Sequence, residues 1–249
     1  MKEHKAHIDT LLGKYKSEEF IRLIRKWGKD LTQKIVLKTD LREEAFGEDE
    51  ILFSLSGKNS IFFALDIAEK TVKTAHYRQR NKGFLHKYVA ADVRELPFTD
   101  NCFDIVLSSS TLDHFTTEYD FIKSLMELKR VTKVGGKMII TINNGWNFNF
   151  YFLLKLEKFL RLKSYPVQSY SPPKLKRIIK TSGWGIVDED FIVHIVSPIN
   201  TLLIIMRRFV KDNFVDTIAK RFISFAKFLG RKKTKAFTGW FIALECIKL

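Results

Sequence analysis

Cysteine is nearly absent from the chain, and what there is forms no pattern. Cys102 and Cys246 stand alone in apolar surroundings, with no CxxC and no Cys/His spacing, so neither a disulfide framework nor a zinc site is expected. No metal is expected elsewhere, and a reducing cytosol suits such a chain. The first seven residues are charged and are followed by no apolar stretch of the kind an export signal needs. Long apolar runs are missing too. Residues 191–210 come nearest, but His194, Pro198, Asn200, Arg207 and Arg208 interrupt them well short of the ~20 clean residues that a membrane span requires. No internal repeat and no low-complexity tract appears. No G-x-G-x-x-G follows the first strand, which weighs against a hydride-transferring dinucleotide enzyme.

What the chain does have is basic charge in one half. Of the net charge of +15 over 249 residues, residues 151–249 hold 19 Lys/Arg against 7 Asp/Glu. Such an excess suits nucleic acid or anionic lipid, and the residues between the charges separate the two. Here they are mostly Phe, Leu and Ile, at helical core spacing, with no recognisable RNA-binding module. Residues 151–163 and 214–235 read as amphipathic helices, the second with Ile218, Phe222, Phe225 and Leu229 on one side. They suit an anionic membrane surface, or equally an ordinary core-facing helix with a solvated basic side. Exposed apolar helices could also make a homodimer.

Periodicity sets the fold class. Apolar residues at helical spacing over the first thirty positions predict one or two amphipathic helices. Strands follow at 34–39, 61–65, 88–91 and 103–108, with a helix from Glu69 to about residue 80. Then come a helix from Thr117 to about residue 132, a strand at 137–142, a helix beginning at Ser171, Pro172 and Pro173, and strands at 186–195 and 240–247. Short apolar strands alternating with helices predict an α/β, Rossmann-like parallel sheet with helices on both faces, plus N-terminal and C-terminal helical additions. Three parts are expected: capping helices at 1–33, a ligand-binding core at 34–147, and at 148–249 a basic helical lid with the final strands. Ligands in such sheets sit at the carboxyl ends of the strands.

Two carboxylates stand there. Asp66, with Ile67 after it, ends the second strand, where an acid accepts from ribose hydroxyls; as a bare residue it could equally cap the next helix. Asp92, followed by Val93, ends the third strand, where it could accept from an exocyclic amine or simply make a turn. Their order decides between these readings. Asp92 precedes Leu96, Pro97 and Phe98, then Asn101, Phe103, Asp104 and Val106, then Glu127, Arg130 and Val131, then Gly135 and Gly136 before a strand. This run resembles the class I S-adenosylmethionine-dependent methyltransferase superfamily, in the branch that includes ubiquinone and menaquinone methyltransferases. The resemblance implies a seven-stranded sheet with its last strand antiparallel and S-adenosylmethionine as cofactor. Asp66 would hold the ribose, Asp92 and Val93 the adenine, and Ser108 and Ser109 would line the pocket near the methionine end.

The sequence departs from that family after the first strand, where a glycine-rich loop is expected and Lys38, Thr39, Asp40, Leu41, Arg42, Glu43 and Glu44 stand instead. Asp40, Glu43 and Glu44 are candidates for the cationic amino-acid end of the cofactor, or form a solvated helix start. Past the fourth strand, Asp113 and His114 lie where an acceptor would meet the methyl group. His114 is a candidate base, or else shapes the pocket; neighbouring residues on a helix do not face each other. Asn143 and Asn144 either bond the acceptor or make a turn. The expected function is methyl transfer to oxygen or carbon of a small, apolar or lipid-linked acceptor, by a cytoplasmic protein at the inner face of a membrane. The alternative is a methyltransferase-fold scaffold that has lost its cofactor.

Overall fold

A computed structural model describes residues 8–46, 51–55, 60–79, 86–148, 168–195 and 197–249. The basic stretch at 151–163 and Gly47 lie outside the described residues. Helix α1 (Thr10–Gly28) leads into β1 (Ile35–Lys38), followed by α2 (Arg42–Phe46), α3 (Ile51–Leu55), β2 (Ile61–Asp66), α4 (Glu69–Gln79), β3 (His86–Ala90) and β4 (Phe103–Ser109). Then come α5 (Glu118–Val131), β5 (Thr132–Asn143), α6 (Pro172–Thr181), β6 (Trp184–Ile192), α7 (Ser197–Met206), α8 (Asp212–Gly230), α9 (Lys235–Thr238) and β7 (Phe241–Lys248).

The strands form one seven-stranded sheet in the order β3-β2-β1-β4-β5-β7-β6, and β7 runs antiparallel to both neighbours. The Rossmann-like sheet read from the sequence is therefore present, with its last strand reversed. Strand alternation explains the two layers. Val36, Ile105 and Ile139 pack under α1 to α4, with Phe20, Leu23, Ile24 and Trp27 of α1. Leu37, Val106, Met138 and Ile140 face α5 and α6, with Phe121, Leu125, Leu128 and Ile178. Gly135, at φ 72°, and Gly136, whose added Cβ would meet the Lys133 carbonyl at 2.7 Å, take up the register shift in β5 opposite Phe103 and Ile105.

The single N-terminal helix starts at Asp9, whose carboxylate accepts from the amides of Leu11 and Leu12 at 3.0 and 3.4 Å. The acidic loop after β1 is partly helical: Asp40 accepts from the Arg42 amide at 2.9 Å and opens α2, whose first turn carries Glu43 and Glu44. Strand β6 ends at Ile192, earlier than its composition suggests, because Val193 takes φ 59° and leaves the ladder. Because β6 runs parallel to β5, the α7–α9 insert leaves from the sheet's carboxyl edge. Val215, Ala219 and Ala226 of α8 face inward and Ile218 packs behind them, while Phe225 of the predicted apolar side is exposed. Among the described residues no helix is long and apolar enough to cross a membrane.

Candidate active site at the sheet switch point

Strands β1 and β4 are neighbours, yet the chain leaves β1 toward β2 and β4 toward β5. The crevice above their carboxyl ends is where such sheets bind ligands. Hydroxyls close its floor. Thr39 Oγ1 lies 3.2 Å from Ser108 Oγ and 2.9 Å from Thr111 Oγ1. Ser108 is fully buried, and Ser109 beside it is half-buried. Ser110 sits at φ 52°, a strained setting for a serine. It is held there by two bonds from its amide, to the Thr141 carbonyl and Oγ1, each 3.0 Å.

Asp113 locks this loop to β5. Its buried carboxylate accepts from Ser110 Oγ at 2.9 Å, from the Asn143 amide at 3.3 Å, and from the Asn143 side chain. Oδ1 is buried with no hydrogen-bond partner, and burial raises the pKa of the carboxyl. His114, next along the same short 3-10 turn (Leu112–His114), is exposed. The two residues differ in setting: Asp113 is buried and fixes the backbone, and His114 is exposed at the crevice rim.

The loop after β1 fits a cation better than an anion. The Lys38 ammonium, 1% exposed, donates to the Asp40 carbonyl at 2.5 Å and to Glu44 Oε2 at 2.9 Å. Burial alone would lower the Lys38 pKa, but the charges of Glu44, Asp40 and Glu43 outweigh it and leave it raised. Glu44 is fully committed, since its other oxygen accepts from the Leu52 amide at 3.2 Å. Asp40 and Glu43 remain. Burial and the Glu43 charge hold the Asp40 carboxyl well above its usual range. Burial also works against the Glu43 charge, but Lys16, Lys38 and a hydrogen bond from Asp40 more than offset it and hold Glu43 low. Of the two, Glu43 is the one held in its charged form. Glu43 Oε2 is buried without a hydrogen bond, 3.9 Å from Lys38 Nζ. An ammonium or sulfonium would satisfy this acidic corner, and carboxylates stand where backbone amides were expected.

At the β2 and β3 ends, Asp66 Oδ1 accepts from the Ala68 amide at 2.8 Å and caps the turn into α4. Within the described residues its second oxygen takes no hydrogen bond. Ile67 is 70% exposed, an apolar surface left open beside an acid. Val93 is buried. Asp92 is clamped by a partner that sequence reasoning missed: the Arg94 guanidinium reaches Asp92 Oδ2 at 2.6 Å and Asp120 at 2.8 Å, and lies 5.3 Å from the Phe115 ring centroid. Arg94 holds the Asp92 carboxyl below its usual range. The i, i+2 spacing of Asp92 and Arg94 was the available signal for this clamp.

The far rim is aromatic. Asn144 does not face the crevice with its amide; it donates to the carbonyls of Ala236 and Gly239 at 2.7 and 2.9 Å, and its oxygen accepts from the Trp146 amide at 3.0 Å. This ties the loop after β5 to α9, where Trp146 stacks on Phe237 at 5.6 Å between centroids. Among the described residues no group of three or more His, Cys, Asp or Glu is placed to hold a metal ion.

Comparison with known proteins falls on this core. Residues 44–140 match the family described as methyltransferase domain. The chain is similar to a ubiquinone/menaquinone biosynthesis C-methyltransferase, UbiE, of Blochmanniella floridana, at 37% identity over 97 residues, 38% of this chain and 37% of that protein. The chain thus spans well under half the length of that relative. Among solved structures it is similar in fold to a magnesium protoporphyrin IX methyltransferase from Synechocystis PCC 6803 with bound SAH. That likeness has a TM-score of 0.61 and 12% identity and covers 96% of this chain and 84% of the other. The [4+2]-cyclase SpnF is similar at a TM-score of 0.63 and 13% identity, over 93% of this chain and 80% of the other.

Proposed function

We propose that the chain, whose residues 44–140 match a methyltransferase domain, transfers a methyl group from S-adenosylmethionine to an apolar or lipid-linked acceptor. The observation that carries this reading is the open Asp66–Ile67 pair at the end of β2, one strand from the switch point. Its free carboxylate oxygen suits the ribose hydroxyls, and the exposed Ile67 side chain suits a face of the adenine. Val93 lines the opposite side, and Asp92, already bonded to Arg94, offers its remaining acceptor capacity to the adenine amine. Asp40 and Glu43 face the amino-acid end, where a cationic group finds the negative charge of Glu43. Ser108 and Ser109 form the floor beneath it.

Bound there, the cofactor supplies an electrophilic methyl on a sulfonium. The chain's own residues orient the acceptor, exclude water and remove its proton. Positioning dominates such a displacement. An oxygen or acidic-carbon acceptor must lose a proton, and His114 takes it; its exposure at the rim beside the Asp113 turn supports that role. Trp146, Phe148 and Phe237 are all exposed at the same edge and favour an apolar acceptor. The C-methylation in the name of the Blochmanniella floridana relative is compatible with this arrangement. The place of work that suits it is the inner face of a cellular membrane.

A second reading has one observation in its favour. The fold also carries a cyclase, so fold alone does not fix a reaction, and a chain without the glycine loop could serve as a scaffold. Calorimetric titration with S-adenosylmethionine and S-adenosylhomocysteine separates the two. Micromolar binding of both is expected, and a folded sample that binds neither sinks the enzyme reading. His114→Ala should bind both as the parent does and lower the rate of transfer by roughly a hundredfold or more, the usual contribution of a positioned base. Unchanged turnover in that variant would remove His114 from the mechanism.

A further inference from the structure

The α7–α9 insert keeps an apolar face turned outward. Leu202, Ile205 and Phe209 recur at i, i+3 and i+7 along α7 and the turn after it, and all are exposed, Phe209 at 82%. The strip continues through Val210 into Phe214 at the start of α8. Phe225 and Phe228 lie eleven and fourteen residues further on, close to whole numbers of helical turns, so they share the outward side with Phe214. The inward side of α8 is taken by Val215, Ala219 and Ala226, which leaves Phe214, Phe225 and Phe228 of the other side exposed.

The charges around that strip are of one sign. Residues 197–238 hold ten Lys/Arg and two Asp/Glu. Both acids, Asp212 and Asp216, are bound to Arg207, which also holds Asp9 under α1. Arg208, Lys211 and Arg221 are exposed along the strip, and Lys232 lies 4.2 Å from the Phe228 ring centroid. Two copies meeting through this face would set cation against cation. An anionic bilayer offers phosphates to the cations and acyl chains to the phenylalanines over the same area.

We infer that this face docks on an anionic lipid bilayer, with Phe209 and Phe214 entering the acyl boundary and the surrounding lysines and arginines on lipid phosphates. The inference deepens the proposed methyl transfer: α9 of the same insert carries Phe237, stacked on Trp146 at the crevice rim. Docking would bring that rim to the lipid from which an apolar acceptor emerges.

Co-sedimentation of the full chain with phosphatidylcholine vesicles, with and without a third of phosphatidylglycerol, tests it. Binding is expected only to the anionic vesicles and should fall steeply with added salt. Phe209→Asp, at a position too exposed to disturb the fold, should weaken it roughly tenfold or more. Lys232→Glu with Lys233→Glu should cost roughly fivefold per cation removed. Equal binding to neutral and anionic vesicles, no binding to either, or a Phe209→Asp protein that sediments as before would each overturn the docking face. So would light scattering that shows a dimer dissociated by Phe209→Asp. Titration of Phe209→Asp with S-adenosylmethionine keeps the two readings apart, since intact cofactor binding alongside lost vesicle binding is the expected result.

Discussion

Asp66→Ala is expected to abolish measurable S-adenosylmethionine binding while leaving the protein folded. Two ribose hydroxyls donating to one carboxylate are charge-assisted bonds, each worth about 1.5–3 kcal/mol. Losing both should move a micromolar affinity into the millimolar range or beyond. The fold has little at stake in this side chain. Its one internal bond, to the Ala68 amide at 2.8 Å, is a cap worth about 1 kcal/mol, and the carboxylate sits at the mouth of the sheet and not in its core. Thermal melting should therefore shift by only a few degrees as titration goes flat. Asp66→Asn keeps the cap and one acceptor and should fall between the two. A folded Asp66→Ala protein that binds the cofactor as tightly as the parent would move the nucleoside away from β2, and with it the roles of Ile67 and Val93.

Asp66 is legible in the sequence because a strand end is a position that a local pattern can locate. The run from Phe62 to Leu65 stops at an acid, and parallel strands all deliver their carboxyl ends to one edge. The core was legible for a related reason: Val36 and Leu37 are both fully buried, on opposite faces, so the strand reads as a continuous apolar run. The Asp113–Asn143 lock was not legible. Its partners lie thirty residues apart and meet only because β4 and β5 are neighbours, which no local pattern states. Helix α8 misled for another reason. Both of its sides are apolar, so periodicity finds the helix without telling which side faces the core; the decision fell to size, with Ala219 and Ala226 buried and Phe214, Phe225 and Phe228 exposed. The acidic run after β1 left two readings open, a site for a cationic group or a solvated helix start, because charged residues are usually exposed and nothing local names a buried partner. In the fold it closes over Lys38.

Lys38→Met should cost about 3–5 kcal/mol, because it leaves the Glu44 carboxylate, 0% exposed, without its cation. Against a typical total of about 5–15 kcal/mol, that brings the protein close to unfolding. The methionine fills a similar volume, so the loss is one of charge and not of packing. Adding Glu44→Leu removes the stranded acid and should recover most of the deficit. About 1–3 kcal/mol should remain, since the Leu52 amide then loses the acceptor that Glu44 gave it at 3.2 Å. The pH dependence separates charge from strain. In the single variant the folded-state pKa of Glu44, already raised by burial in the parent, rises further above its unfolded value of about 4.3. The deficit is then absent below that unfolded value and grows as pH rises toward the folded one. Urea denaturation at about pH 8 and about pH 5 should show the gap between variant and parent narrowing in acid. In the parent the contribution of the raised Lys38 pKa is present in full below its unfolded value of about 10.4 and fades above it. A deficit of equal size at both pH values would mean that the introduced methionine side chain strains the loop, and no deficit at about pH 8 would mean that Glu44 is not held by Lys38 in solution.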